Sequence, residues 1–136
     1  MKKWRQSQQE TARLLGGQEQ PASGARPAYK GDVTAEGYLC EDKYTDKPYI
    51  VLQRAWLTKI SQEAAYRGVK PMLTFRIANF GKWQMVRGSL TNGSSILMWG
   101  SFKKIDVGWL RGLCYPACLL SGHDVWILTR LATDVR

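Results

Sequence analysis

Imidazole is almost missing from this chain: His123 is the single histidine in 136 residues. A Ser-His-Asp arrangement or a histidine-rich metal motif has too few parts to be built here. The three cysteines, Cys40, Cys114 and Cys118, are odd in number. The start Met1-Lys2-Lys3-Trp4-Arg5-Gln6 has no apolar core of a secretory leader, so a disulfide framework is not expected and the thiols read as reduced and buried. Cys114-x3-Cys118-x4-His123 offers three ligands where a structural zinc takes four, so zinc is not expected either. There is no Gly-x4-Gly-Lys loop to cradle phosphates, which argues against a nucleotide cofactor. No apolar run approaches the roughly 18 residues of a membrane span, because Lys103-Lys104 and Arg111 interrupt the most apolar region. A cytoplasmic protein is the expectation.

Acid is also scarce. Eleven carboxylates face twenty Lys and Arg, a net charge of +9, and fifteen of those basic residues lie within residues 1–87. A small basic chain with interspersed aromatics suits a polyanionic partner such as nucleic acid, although simple solubility would account for the charge as well. At 136 residues with 44% hydrophobic content it is long enough for one domain with a buried core, and residues 1–136 are expected to form a single domain.

The few acids gather where they matter. Residues 30–44 read as two short strands joined at Ala35-Glu36-Gly37. On the second limb the alternation of a strand puts Leu39, Glu41 and Lys43 on one face and Tyr38, Cys40 and Asp42 on the other. Asp32, on the first limb, is expected across from Glu41 and Lys43. Two carboxylates and an ammonium in one patch suit phosphodiester hydrolysis. Hard oxygens, with the Asp42 carbonyl as a further donor, can hold Mg²⁺, which polarises phosphate and acidifies a bound water. Lys43 can orient that water or offset charge developing on the phosphoryl oxygens.

Gly31-Asp32-Val33 followed by Glu41-Asp42-Lys43, then a helical segment and a strand, resembles the PD-(D/E)xK nuclease superfamily, and most of all its archaeal and phage-type Holliday-junction resolvases. The upstream Glu10 and the Ser23-Gly24 pair stand where those resolvases carry a helical Glu and a Ser-Gly loop. The resemblance covers about residues 5–87, and it departs from the pattern at Gly31, where many members have Pro. It implies a restriction-endonuclease-like core, an α/β fold with a mixed central sheet flanked by helices. It also implies a Mg²⁺-dependent endonuclease, with Mn²⁺ able to substitute, acting on branched DNA as a homodimer in a bacterial, archaeal or phage-infected cell. Under it Asp32, Glu41 and Glu10 would bind metal and Lys43 would assist the attacking water. Two alternatives stay open: a nuclease of the same superfamily acting on unbranched double-stranded DNA, and a non-catalytic nucleic-acid-binding protein.

In chain order, Ser7-Gln8-Gln9-Glu10 reads as a capping box opening a short helix over Thr11–Leu15 that Gly16-Gly17 stops. Glu10 is therefore claimed both as a cap and as a ligand. Residues 18–30 read as a loop whose Ser23, Arg26 and Lys30 are placed to hold DNA phosphates. Tyr49–Val51 reads as a strand. A helix over 53–67 follows, with a buried stripe of Leu52, Trp56, Leu57, Ile60 and Ala64. Lys59, Gln62 and Glu63 fall elsewhere on its surface, and Gln62 is a candidate for the DNA face. Strands are expected over Met72–Ile77, Lys82–Arg87, Ser95–Trp99 and Val125–Leu128. Residues 88–136 match nothing in the resemblance and could complete the sheet, cover a face or form the dimer surface.

Overall fold

The computed structural model describes residues 2–20, 32–89, 95–98, 100–113, 115–121 and 123–133. Ser23, Arg26, Lys30, Trp99 and Cys114 lie outside the described residues. The fold is α/β, with a mixed central sheet and helices on both of its faces.

Helix α1 (Lys3–Leu15) comes first and begins well before Ser7, where the capping signal placed its start. Ser7 lies inside it, because the hydroxyl that a cap would use is taken by Asp42 of the sheet, 2.7 Å away. Gly16, in the left-handed conformation at φ 64°, ends the helix as expected. Gly17 then passes so close to the next hairpin that a Cβ there would stand 2.1 Å from the Thr34 carbonyl oxygen, so any side chain would push helix and hairpin apart.

After β1 (Gln18–Glu19) come β2 (Val33–Ala35), β3 (Tyr38–Thr45) and β4 (Tyr49–Gln53). The β2–β3 bend falls at Glu36-Gly37, with Gly37 at φ 79°, a value that favours glycine. Helix α2 (Arg54–Tyr66) carries the chain back along β3, and β5 (Lys70–Ile77) then pairs parallel to β3. A helical crossover is what a parallel pair needs. β6 (Gly81–Arg87) returns antiparallel.

Residues beyond 88 complete the sheet. β10 (Asp124–Thr133) pairs with β6, β9 (Ala117–Ser121) with β10, and β7 (Ser95–Met98) with β9. The result is eight strands in the order β1-β2-β3-β5-β6-β10-β9-β7. A separate two-stranded sheet joins β4 to β8 (Phe102–Asp106), and the short helix α3 (Val107–Arg111) follows.

Strand alternation sorts the interior into two unequal clusters. Leu39, Leu73, Phe75, Ile77, Trp83 and Met85 face the α2 side, where Leu57, Ile60 and Ala64 of the helix and Ile50, Leu52 and Ile105 of the small sheet close over them. Trp56, expected in the buried stripe, is only partly buried against this cluster, and Leu52 belongs to β4 and not to the helix. The opposite side is thin: Val33, Cys40 and Met72 meet Ala12 of α1. Most of what α1 covers is polar, and its attachment rests on hydrogen bonds and charge. Among the described residues no helix is long and apolar enough to cross a membrane.

Candidate active site

The order Glu41-Asp42-Lys43 lies in the middle of β3, so neighbouring acids leave the strand on opposite sides. Glu41 and Lys43 share the α2 side with Leu39, as the alternation predicted. Lys43 Nζ stands 3.2 Å from Glu41 Oε1 and 4.6 Å from the ring centre of Trp56 on α2. The aromatic face and the carboxylate hold the ammonium between them. Glu41 keeps 12% of its side-chain exposure and Lys43 28%, so the pair is walled in but open to a ligand.

Asp32 is brought to the same spot by the entry into β2. Its backbone N–H donates to the Cys40 carbonyl at 2.9 Å, and its carboxylate accepts from the Asp42 N–H at 2.8 Å. Asp32 is thus tied to both chain neighbours of Glu41. This fastens Asp32 to β3 on either side of Glu41, with Lys43 two residues further along the strand. No three His, Cys, Asp or Glu side chains among the described residues stand close enough to enclose one ion. Asp32 and Glu41 are the two carboxylates that could hold a divalent cation here, with water completing the shell as it commonly does for Mg²⁺.

Glu10 is not part of that set. It leaves α1 toward the other side of the sheet, where Arg76 donates to both of its oxygens, at 2.7 and 2.8 Å, and Lys82 Nζ lies at 3.4 Å. Burial pushes its carboxyl up, but the Arg76 hydrogen bonds and the charges of Lys82 and Arg76 outweigh burial and hold it below the ordinary range. The expected capping role fails as well, since Glu10 is in the middle of its helix with its carboxylate engaged by β5 and β6.

Beside Glu10 is a polar knot that the sequence did not announce. Asp42 accepts hydrogen bonds from Ser7 (2.7 Å), Thr11 (2.8 Å) and Thr74 (2.6 Å), and the fully buried Lys82 reaches it at 3.2 Å. Lys82 also donates to the Ser7 carbonyl at 2.6 Å, to the Ser7 hydroxyl at 3.0 Å and to Thr11. Every charge here is matched, which is how a buried ion pair is tolerated. Cys40 closes one end, 3.3 Å from the Thr74 hydroxyl. Burial pushes its thiol well above the usual range, the Thr74 contact lowers it, and the charges of Asp42 and Asp32 add to the rise, so it is no nucleophile.

A cleft of about 310 Å³ opens beside this knot, lined by Lys3, Gln6, Ser7, Glu10, Tyr44 and Arg76. It is on the α1 side, away from Glu41 and Lys43. Gln62 faces a different cleft again, of about 220 Å³, with Arg54, Ser61, Arg87, Asp124 and Trp126. It is not brought to Asp32 and Glu41. Cys118 is buried and His123 exposed.

Strand alternation alone would have separated Asp42 from Glu41, but nothing in the sequence matched Asp42 to Lys82, forty residues away. Compared with known proteins, the chain matches no family model and no curated sequence.

Proposed function

We propose that this chain is a Mg²⁺-dependent DNA endonuclease that hydrolyses phosphodiester bonds, with branched DNA such as a four-way junction as its substrate and a homodimer as its working form. The observation that carries the reading is the fastening of Asp32 to both neighbours of Glu41, with Lys43 3.2 Å from Glu41 on the same face. The order of elements supports it. The resemblance implies a helix, a hairpin that bears the acids, a further helix and a further strand, and elements of those types follow one another in that order here.

Asp32 and Glu41 would hold the cation. When bound, it would polarise the phosphate and lower the pKa of a water. The chain's own contribution is positional. Lys43 is held by Glu41 and by the Trp56 face, so its ammonium is already aimed when substrate arrives and can orient the attacking water or meet charge on the phosphoryl oxygens. The excess of basic residues supplies long-range attraction for a polyanion. A homodimer would offer two such sites, as a two-fold symmetric junction requires.

Cleavage of a labelled four-way junction and of a matched linear duplex, each with Mg²⁺ and with EDTA, tests this for the parent and for Glu41→Gln. Metal-dependent cutting of the junction that Glu41→Gln loses is the expected result. Equal cutting of both DNAs would keep the site and discard the branched substrate. Retention of DNA in a gel without cutting in Mg²⁺ would replace the enzyme with a binding protein.

A further inference from the structure

Helix α2 carries an acid that the sequence pattern assigned to an exposed surface. The Glu63 side chain keeps only 11% of its exposure, and neither carboxylate oxygen touches solvent or accepts a hydrogen bond among the described residues. Lys59, one turn back, reaches Oε1 at 3.9 Å, beyond hydrogen-bond distance, from a side chain that is 62% exposed. Asp42 shows what the same protein does with an enclosed carboxylate when stability is the only demand: it supplies three hydroxyls and an ammonium. Glu63 has no hydrogen-bond donor among the described residues. An ionised carboxylate enclosed in this way is disfavoured unless something positive comes to face it.

Its position is bracketed by two contacts on the same side of α2. Trp56 lies two helical turns before it and packs over Lys43. Arg67 lies one turn after it and donates to Gln20 at 3.3 Å, while Gln20 donates to Thr34, the residue paired with Leu39. Glu63 therefore falls between the levels of Lys43 and Leu39 on β3, and the residue of that face between those two is Glu41.

We infer that Glu63 is a positioning acid of the divalent-cation site: it faces Asp32 and Glu41 from the helix and holds a water of the cation's shell. This rests on the endonuclease reading. Contact through water agrees with the wider spacing of the acids and with the tendency of Mg²⁺ to keep several waters.

Mn²⁺ alone serves as the probe, its binding to the full chain followed by electron paramagnetic resonance, with thermal unfolding measured in the presence and absence of the ion. The parent should bind Mn²⁺ and Glu41→Gln should not. Glu63→Gln should weaken binding by about 10–100-fold, the usual cost of removing a group that orients a metal's ligands, and a change below about threefold overturns the inference. Glu63→Asp, which keeps the charge, should retain more affinity than Glu63→Gln. Without metal, Glu63→Gln should unfold no lower than the parent, because it removes an enclosed carboxyl group that has no hydrogen-bond donor among the described residues. A midpoint that falls while Mn²⁺ affinity holds would make Glu63 a structural residue and overturn the proposal. A parent that binds no Mn²⁺ overturns both readings. Binding lost in Glu41→Gln but intact in Glu63→Gln overturns this one and leaves the endonuclease standing.

Discussion

Glu41 and Asp42 are adjacent in sequence and opposite in circumstance. On the α1 side of β3, Asp42 is saturated: three hydroxyls and the buried Lys82 use up its capacity to accept. On the α2 side, Glu41 shares one partly exposed ammonium, and Glu63 has no hydrogen-bond donor among the described residues. Satisfied polar groups fix one arrangement of the chain, whereas acids left with spare capacity can take up a ligand. The same element thus serves as an anchor on one face and as a candidate site on the other. The difference lies in how many partners each carboxylate already has, and the identity of the acids does not set it.

That contrast can be broken from either side. The largest effect is expected at Glu41→Gln, which should abolish Mg²⁺-dependent cutting while leaving the unfolding midpoint close to the parent's. A matching loss of fold would put Glu41 on the anchoring side. Next comes Lys82→Ala, which leaves Asp42 enclosed without its cation. Breaking a buried pair in this way costs about 3–5 kcal/mol, so denaturant unfolding should show a large drop in stability, with α1 as the first element to lose protection from hydrogen exchange.

Glu10 sharpens the comparison through pH. Its carboxyl is held below the ordinary value in the folded state, so the stability it contributes is present above the unfolded pKa and is lost as pH falls through the lower folded one. The stability gap between the parent and Glu10→Gln should narrow as pH drops from about 5 toward about 3, read as thermal midpoints across that range. Mn²⁺ affinity should be unchanged in Glu10→Gln, since Glu10 and Glu41 are on opposite sides of the sheet. A loss of affinity there would move Glu10 back to the metal. The smallest effect belongs to Gln62→Ala, which should alter stability by no more than about 0.5 kcal/mol, as is usual for surface changes, and leave junction cutting near the parent rate.

What was legible from the chain followed from short-range rules. Gly37 and its neighbours marked the hairpin, the spacing of Leu57, Ile60 and Ala64 marked α2, and alternation through Met72–Ile77 marked β5 with its two faces. Each rests on local backbone geometry, which the sequence carries directly. The capping box at Ser7 failed because a tertiary partner outbid a local one: the hydroxyl that would have satisfied a helix N–H is bound to Asp42 instead. The position of Glu10 failed for a similar reason. Being on a helix near an acidic strand does not say which face of that strand the helix covers.

By itself, then, the sequence determined the local elements, the basic charge and the alternation that parts Glu41 and Lys43 from Asp42. Tertiary structure alone decided which side α1 covers, that Asp42 and Lys82 meet, that residues beyond 88 extend the sheet through β10, β9 and β7, and that Glu63 is enclosed. The reason is physical. Periodicity fixes the direction of a side chain relative to its own element, whereas its partners depend on how separate elements pack, and contacts across forty or more residues leave no trace in local spacing.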